Sequence, residues 1–361
     1  MKVVVKVGTH AIIESDGTVH KGALTALTKQ VAELQQAGHQ VVLVSSGAVS
    51  TGRRVSHELL GPDYGRTTVE KQVLSSLGQP ELIQEYRHLF KKHNLLTAQL
   101  LLTKHDFQTR SHYLNIIKIL KNILEHKNII PVVNENDSVS IEELIFTDND
   151  ELAGLIAAQL GAEKLIIFTT VDGVFDKHPD EPDAQLISII NPDDESNWPS
   201  VSKTTSTHGR GGMISKLGVA RKISGLGIST HIININVDDA IPKIMAGDKV
   251  GTSILAQTKK SNIKRWMAFS DWQKNGSIEV NQCLFDILKE GKRSISLLPV
   301  GIEECTGNFQ KGDLIEVISP GKQQIGIGIA RYDSNTLKEH IGKKGKPEII
   351  HYDHLLIKIG T

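Results

Sequence analysis

Over the first 255 residues, short β-branched runs alternate with stretches whose apolar positions recur every three or four residues. The runs Lys2–Val7, Gln40–Ser45, Leu95–Leu102, Asn128–Val133, Lys164–Thr169, Thr230–Ile235 and Thr252–Leu255 predict strands. Between them, Leu24, Leu27, Val31 and Leu34 share one helical face, and Gly38 supplies a stop. Ile116, Ile117, Leu120, Ile123 and Leu124 repeat the period, as do Leu152, Leu155, Ile156 and Leu160 before Gly161. Strands that alternate with helices predict an α/β domain whose parallel sheet is covered on both faces. Such sheets bind ligands beyond the carboxyl ends of their strands, so the residues just after each run carry the functional question.

The pattern changes near residue 257. Gln257–Ser270 is polar and basic, with Lys259, Lys260, Lys264 and Arg265. Beyond it, glycine punctuates short strand patterns at Ser294–Pro299, Leu314–Ser319, Gln324–Ala330 and His354–Ile359, with one helix pattern at Asn281–Glu290. The expected division is a domain of residues 1–257, a linker of 258–271 and a small, mostly β domain of 272–361.

Composition narrows the classes. Lys+Arg and Asp+Glu both total 41, which argues against a protein built to coat nucleic acid or an anionic membrane. No apolar run nears the ~18–20 residues of a membrane span. The opening MKVVVKVGT has no leader pattern, so the expectation is a cytoplasmic protein. Two cysteines, Cys283 and Cys305, can build neither a disulfide framework nor a four-thiolate zinc site, and they read as buried or half-buried thiols. There is no P-loop, no dinucleotide glycine fingerprint after the first strand, no G-x-S-x-G elbow and no H-E-x-x-H pair.

Six segments carry candidate chemistry. Lys6-Val7-Gly8-Thr9 puts an ammonium at a strand end, with Gly8 allowing close approach to a phosphate. Ser45-Ser46-Gly47-Ala48 offers backbone N–H groups to an anion at the start of a helix. Asn134-Glu135-Asn136-Asp137 can hydrogen-bond a small polar ligand. Thr147-Asp148-Asn149-Asp150 opens a helix, and its two carboxylates exceed what an N-cap requires; one could hold lysines together. Phe168–Val174 follows a strong strand and could wrap a nucleotide. The loop Gly209–Lys216, which contains Arg210, Gly211, Gly212, Met213, Ile214 and Ser215, could cradle phosphates, with Lys216 following the transferred group. Each segment also has a plainer reading as a turn, a cap or a surface lysine. Together, at strand ends of one domain, they suit phosphoryl transfer.

The set and order of these segments resemble the amino-acid kinase family, with the Asn-Glu-Asn-Asp and Phe-x-Asp-Asn-Asp pairing as the most specific part. Ser296–Ile302, Gly307-Asn308-Phe309 and Lys311-Gly312-Asp313 are similar to a PUA domain. The resemblance implies a three-layer α/β/α kinase fold followed by a small PUA-like barrel. It further implies ATP-dependent phosphorylation of the side-chain carboxylate of L-glutamate to L-glutamyl 5-phosphate, the first step of proline synthesis. Carried over by position, Lys6, Asp150 and Lys216 would be catalytic, with Asp150 organising the two lysines. Ser46, Gly47, Asn134, Asp137, Asp148 and Asn149 would hold glutamate. Lys6, Gly8, Thr169, Thr170 and the stretch Arg210–Lys216 would bind ATP. Magnesium would arrive with ATP rather than in a cage of protein ligands. The resemblance also implies a homodimer or homotetramer and proline as feedback inhibitor. Thr170 stands where the family usually has Asp, Arg210 and Thr147 replace small residues, and His10 replaces a common Ser.

Three rival readings are an RNA-binding protein, a kinase of another acceptor, and a non-catalytic amino-acid sensor. Zero net charge and 4% aromatic residues weigh against RNA. Retention of Lys6, Asp150 and Lys216 weighs against the sensor. His351 and His354 lack further ligands for a metal, and Lys343, Lys344 and Lys346 read as a solvated loop.

Overall fold

A computed structural model describes residues 1–61, 63–107, 110–139, 148–179, 181–194, 198–199, 212–257, 276–290 and 295–357. The chain divides into two compact units, Met1–Lys259 and Lys260–Thr361.

The first unit is built on one eight-stranded sheet. Its strands are β1 (Lys2–Val7), β2 (Gln40–Val44), β3 (Leu96–Leu102), β4 (Ile129–Glu135), β5 (Lys164–Thr169), β6 (Ile189–Ile190), β7 (Ser229–Asn234) and β8 (Thr252–Ile254). They lie in the order β3-β4-β2-β1-β5-β7-β8-β6. All neighbours are parallel except β7 and β8, so the sheet is mainly parallel, as the alternating pattern predicts. From β1 the chain runs to β2 on one side, whereas β5 lies on the other. The crevice between β1 and β5 is therefore a switch point of the topology, where open α/β sheets receive ligands.

Helices cover both faces. Side chains alternate along β1, so Val3, Val5 and Val7 point one way and Val4 and Lys6 the other. The first set packs with Val41, Leu43, Ile130 and Val132 against α2 (Lys21–Gln36), α4 (Thr68–Lys91) and α8 (Ala240–Ala246). Against the second face lie α5 (Arg110–Glu125), α6 (Asn149–Leu160) and α7 (Met213–Ser224). The glycine stops at Gly38 and Gly161 stand where the sequence places them. A short helical turn, α1 (Thr9–Ile12), follows β1, and α3 (Ala48–Leu60) follows β2.

Helices α3 and α4 touch backbone to backbone. A Cβ on Gly52 would lie 1.8 Å from the Leu74 carbonyl oxygen, and one on Gly78 would lie 2.0 Å from that of Ala48. Only glycine at both positions permits this approach. It fixes the height of α4 over the ends of β2 and β4.

The second unit has its own core, gathered around Ile278, Leu297, Phe309, Val317 and Ile350. Its sheet has the order β10-β9-β11-β12-β13, from β9 (Gly276–Val280), β10 (Ile302–Gly307), β11 (Leu314–Ile318), β12 (Gln324–Ile329) and β13 (Leu355–Ile357). The helices are α9 (Gln282–Glu290) and α10 (Ser334–His340). Of the strand expected at Ser294–Pro299, the described residues 295–299 form none: Leu297 makes a single bridge to Ile350, and Pro299, which has no N–H to donate, opens a 3-10 turn. Cys305 is buried on β10, but Cys283 is exposed, against the expectation of a buried or half-buried thiol. Lys343 and Lys344 are exposed.

We predict that Gly78→Ala destabilises the protein by about 1–3 kcal/mol or more, the range for forcing a methyl into a packed contact. Urea denaturation measures it, and a wild-type midpoint would show that α3 and α4 can separate cheaply.

Candidate active site

Every described candidate residue lies at the carboxyl edge of the first sheet or at a helix start facing it. β1 delivers Lys6 to the face covered by α6 and α7. Asp150 stands in the first turn of α6 and Lys216 in the first turn of α7. Lys6 Nζ is 2.6 Å from Asp150 Oδ1, and Lys216 Nζ is 2.9 Å from Asp150 Oδ2. Asp150 is 0% exposed, Lys6 4% and Lys216 6%. Burial alone would raise the Asp150 pKa, but the two adjoining ammonium groups outweigh it and hold the carboxyl below its ordinary value. Two cations around one anion leave a surplus positive charge in a site shielded from water, a setting for an anionic ligand.

Asp148 is the N-cap of α6. Its Oδ1 accepts the backbone N–H of Asp150 at 2.8 Å and of Glu151 at 3.1 Å. One of its oxygens is thus committed to the helix. Burial and the Asp150 carboxylate push its pKa up.

A second cluster lies beside the first and is neutral. Asn149 Nδ2 donates to the Ser45 carbonyl oxygen at 2.8 Å, to Ser46 Oγ at 2.7 Å and to Asn134 Oδ1 at 2.9 Å. Its own Oδ1 is buried without a protein partner, so the cluster lacks a donor that a ligand could bring. Gly47 caps α3 at φ 108°, a left-handed conformation that glycine tolerates, and a Cβ there would press on Ile13 at 3.0 Å. Asp137 is tied instead to α4, where Ser75 Oγ donates to its Oδ2 at 3.4 Å.

The helix starts at Gly8, Gly47 and Gly212 have no side-chain cap bond, unlike those of α4 and α6. A glycine at the cap has no side chain to occupy the first N–H groups of these helices. Thr169 ends β5, and the Thr170 carbonyl accepts from Asn234 Nδ2 at 3.2 Å, which braces that loop against β7. Gly212, Met213, Ile214 and Ser215 form the approach to Lys216. Arg210, Gly211 and Thr147 lie outside the described residues. No group of three or more His, Cys, Asp or Glu side chains that could hold a metal occurs among the described residues.

Sequence reasoning missed several supports of this site. Gln79 accepts from Asn134 Nδ2 at 2.8 Å, Tyr86 shares a 2.8 Å hydrogen bond with Ser45 Oγ, and Asn234 braces the β5 loop. The first two lie inside α4, where nothing in the pattern separates a supporting polar group from a solvent-facing one.

The first unit thus pairs a mainly parallel sheet with two lysines bridged by a buried aspartate at its carboxyl edge. Residues 1–234 match the amino acid kinase family and residues 276–351 the PUA domain; the chain belongs to the amino acid kinase family. Among curated proteins it is similar to the Glutamate 5-kinase of Chlorobaculum tepidum, at 43% identity across 99% of this chain and 97% of that one. It is also similar to the Glutamate 5-kinase of Bacteroides thetaiotaomicron, at 39% identity across 99% and 98%. Among solved structures, the isopentenyl phosphate kinase of T. acidophilum in its product complex aligns with a TM-score of 0.50 and 16% identity. That match covers 70% of this chain and 100% of the other, and speaks for the fold alone.

The clasp makes a stability prediction. Asp150→Ala strands two buried ammonium groups and should cost about 3–5 kcal/mol, whereas Lys216→Ala leaves the Lys6 pair intact and should cost about 1–2 kcal/mol. Because the Asp150 carboxyl is depressed below 3.8, its contribution is fully present above that pH and is lost as pH falls through the folded value. Denaturation of wild type and Asp150→Asn from pH 7 to 2.5 checks this: the gap between them should narrow below pH 3.8. A constant gap would contradict it.

Proposed function

We propose that this chain transfers the γ-phosphoryl group of ATP to the side-chain carboxylate of L-glutamate, giving ADP and L-glutamyl 5-phosphate, the first step of proline synthesis. The observation that carries the reading is the pairing of two unlike clusters at one sheet edge. The Lys6–Asp150–Lys216 clasp is cationic and suits a phosphoryl group. The Ser46–Asn134–Asn149 cluster is neutral and suits a small amino acid. Full-length similarity to proteins named Glutamate 5-kinase supports the choice of acceptor.

The nucleophile is an oxygen of the glutamate side-chain carboxylate, already ionised near pH 7. It forms a bond to the γ-phosphorus as the bond to the β-phosphate oxygen breaks, and the electron pair leaves with ADP. No proton has to be removed, so the site needs no general base. Lys6 and Lys216 meet the charge spread over the equatorial oxygens. Asp150 keeps their mutual repulsion from displacing them. Gly8, Thr169, Thr170 and the stretch Arg210–Lys216 hold ATP, with Gly211, Gly212, Met213, Ile214 and Ser215 offering backbone groups. Ser46, Gly47, Asn134, Asp137, Asp148 and Asn149 hold glutamate. Magnesium would arrive bound to ATP and would offset phosphate charge; no residue here is assigned to it.

The same reading places the enzyme in the cytoplasm as a homodimer or homotetramer inhibited by proline. An apolar face on α3 and α4, where Leu59 and Val69 are 88% and 67% exposed, supports self-association. No described helix is long and apolar enough to cross a membrane.

The test is ADP release from Mg-ATP with and without L-glutamate, trapping the acyl phosphate with hydroxylamine. Glutamate-dependent ADP with matching hydroxamate is expected, and turnover only with another acceptor would move the substrate. Lys216→Ala should lower kcat about 100-fold or more; near-normal turnover would remove its role. For Arg210→Thr, an unchanged KM for ATP would remove Arg210 from the nucleotide site.

A further inference from the structure

We propose that Gln79, in the middle of α4, is a positioning residue for the acceptor: it fixes the Asn134 carboxamide, and through it the Asn149 amide that meets the amino acid. The inference rests on the glutamate reading above.

A carboxamide is nearly symmetric in shape but not in hydrogen bonding. Asn134 uses both ends. Its Nδ2 donates to Gln79 Oε1 at 2.8 Å. Its Oδ1 accepts the backbone N–H of Glu135 at 2.9 Å and Asn149 Nδ2 at 2.9 Å. Turned by half a rotation, Asn134 would set its NH2 against two donors and its oxygen against Gln79 Oε1. The backbone N–H of Glu135 sets this orientation, and Gln79 holds the amide in it from the far end. Asn149 depends on that choice, because Asn134 Oδ1 is one of the three acceptors that hold its Nδ2. With Nδ2 held, Asn149 Oδ1 is left as the acceptor for a donor on the ligand.

Gln79 is well placed for this task. It is buried, and it follows Gly78, whose backbone contact with Ala48 and Gly52 fixes this turn of α4. It also lines a pocket of about 400 Å³ with Ser75, Gln99, Leu101, Glu135 and Asn136, at the side of α4 that faces β3 and β4. Breaking the Gln79 bond leaves a buried N–H of Asn134 unpaired and loosens the far end of its amide, a cost that falls on acceptor binding and not on the clasp.

The experiment is steady-state kinetics on the full-length protein, with L-glutamate and with glutarate, which lacks the ammonium group. Gln79→Met removes the acceptor oxygen at nearly constant volume. It should raise the KM for glutamate about tenfold, lower the preference for glutamate over glutarate, and leave the KM for ATP within about twofold. Gln79→Glu keeps an oxygen for Asn134 and should stay within about threefold of wild type. Gln79→Ala carries the same expectation as Met should the Met variant fail to fold. An unchanged KM for glutamate overturns the proposal. So does a parallel fall in kcat, ATP affinity and Tm, which marks a structural role only, or equal damage from Met and Glu. Wild type that is inert with glutamate would instead sink the reaction itself, and this proposal with it.

Discussion

The first unit is organised around one carboxylate held between two ammonium groups. Asp150 is out of contact with water, and its cost of burial is offset only while Lys6 and Lys216 stay within ion-pair distance. Those three residues come from β1, α6 and α7, so the clasp ties the centre of the sheet to two of the helices that cover one face. The rest of the edge is arranged about it. Asp148 starts α6 in the register that turns Asp150 inward, and the neighbouring Asn149 turns toward β2 and β4. Three consecutive residues thus serve the helix, the neutral cluster and the cationic cluster in turn.

The opposite face supplies support instead of charge. There α4 crosses behind the ends of β2 and β4 and sends Tyr86 to Ser45 and Gln79 to Asn134. The Tyr86 hydroxyl is buried and its pKa is raised by that burial, so it acts as a neutral strut. A site with a charged half on one face of a sheet and a neutral half reaching through to the other can bind two dissimilar ligands side by side. The phosphoryl group and acceptor of the proposed reaction would be such a pair.

Much of this was legible in the chain. Lys2–Val7 and Lys164–Thr169 are strands to the residue because each is a β-branched run buried on both sides, and Lys6, Asp150 and Lys216 stood out as charges where such runs end or helices begin. The α3–α4 pair was not legible. Its closest contacts are of Gly52 and Gly78 with the backbone of Leu74 and Ala48, glycines in the place of an apolar stripe, so the helical period has little to display. β10 was missed for a related reason: its register shifts between Ile302 and Glu304, which breaks the alternation a strand would show. Gln79 could not be found at all, since its role exists only through Asn134, 55 residues away.

The two units keep separate hydrophobic cores, and every residue assigned to catalysis or binding belongs to the first. Substitutions that repack Phe309, Val317 or Ile350 therefore change none of the side chains proposed here to meet phosphate and acceptor.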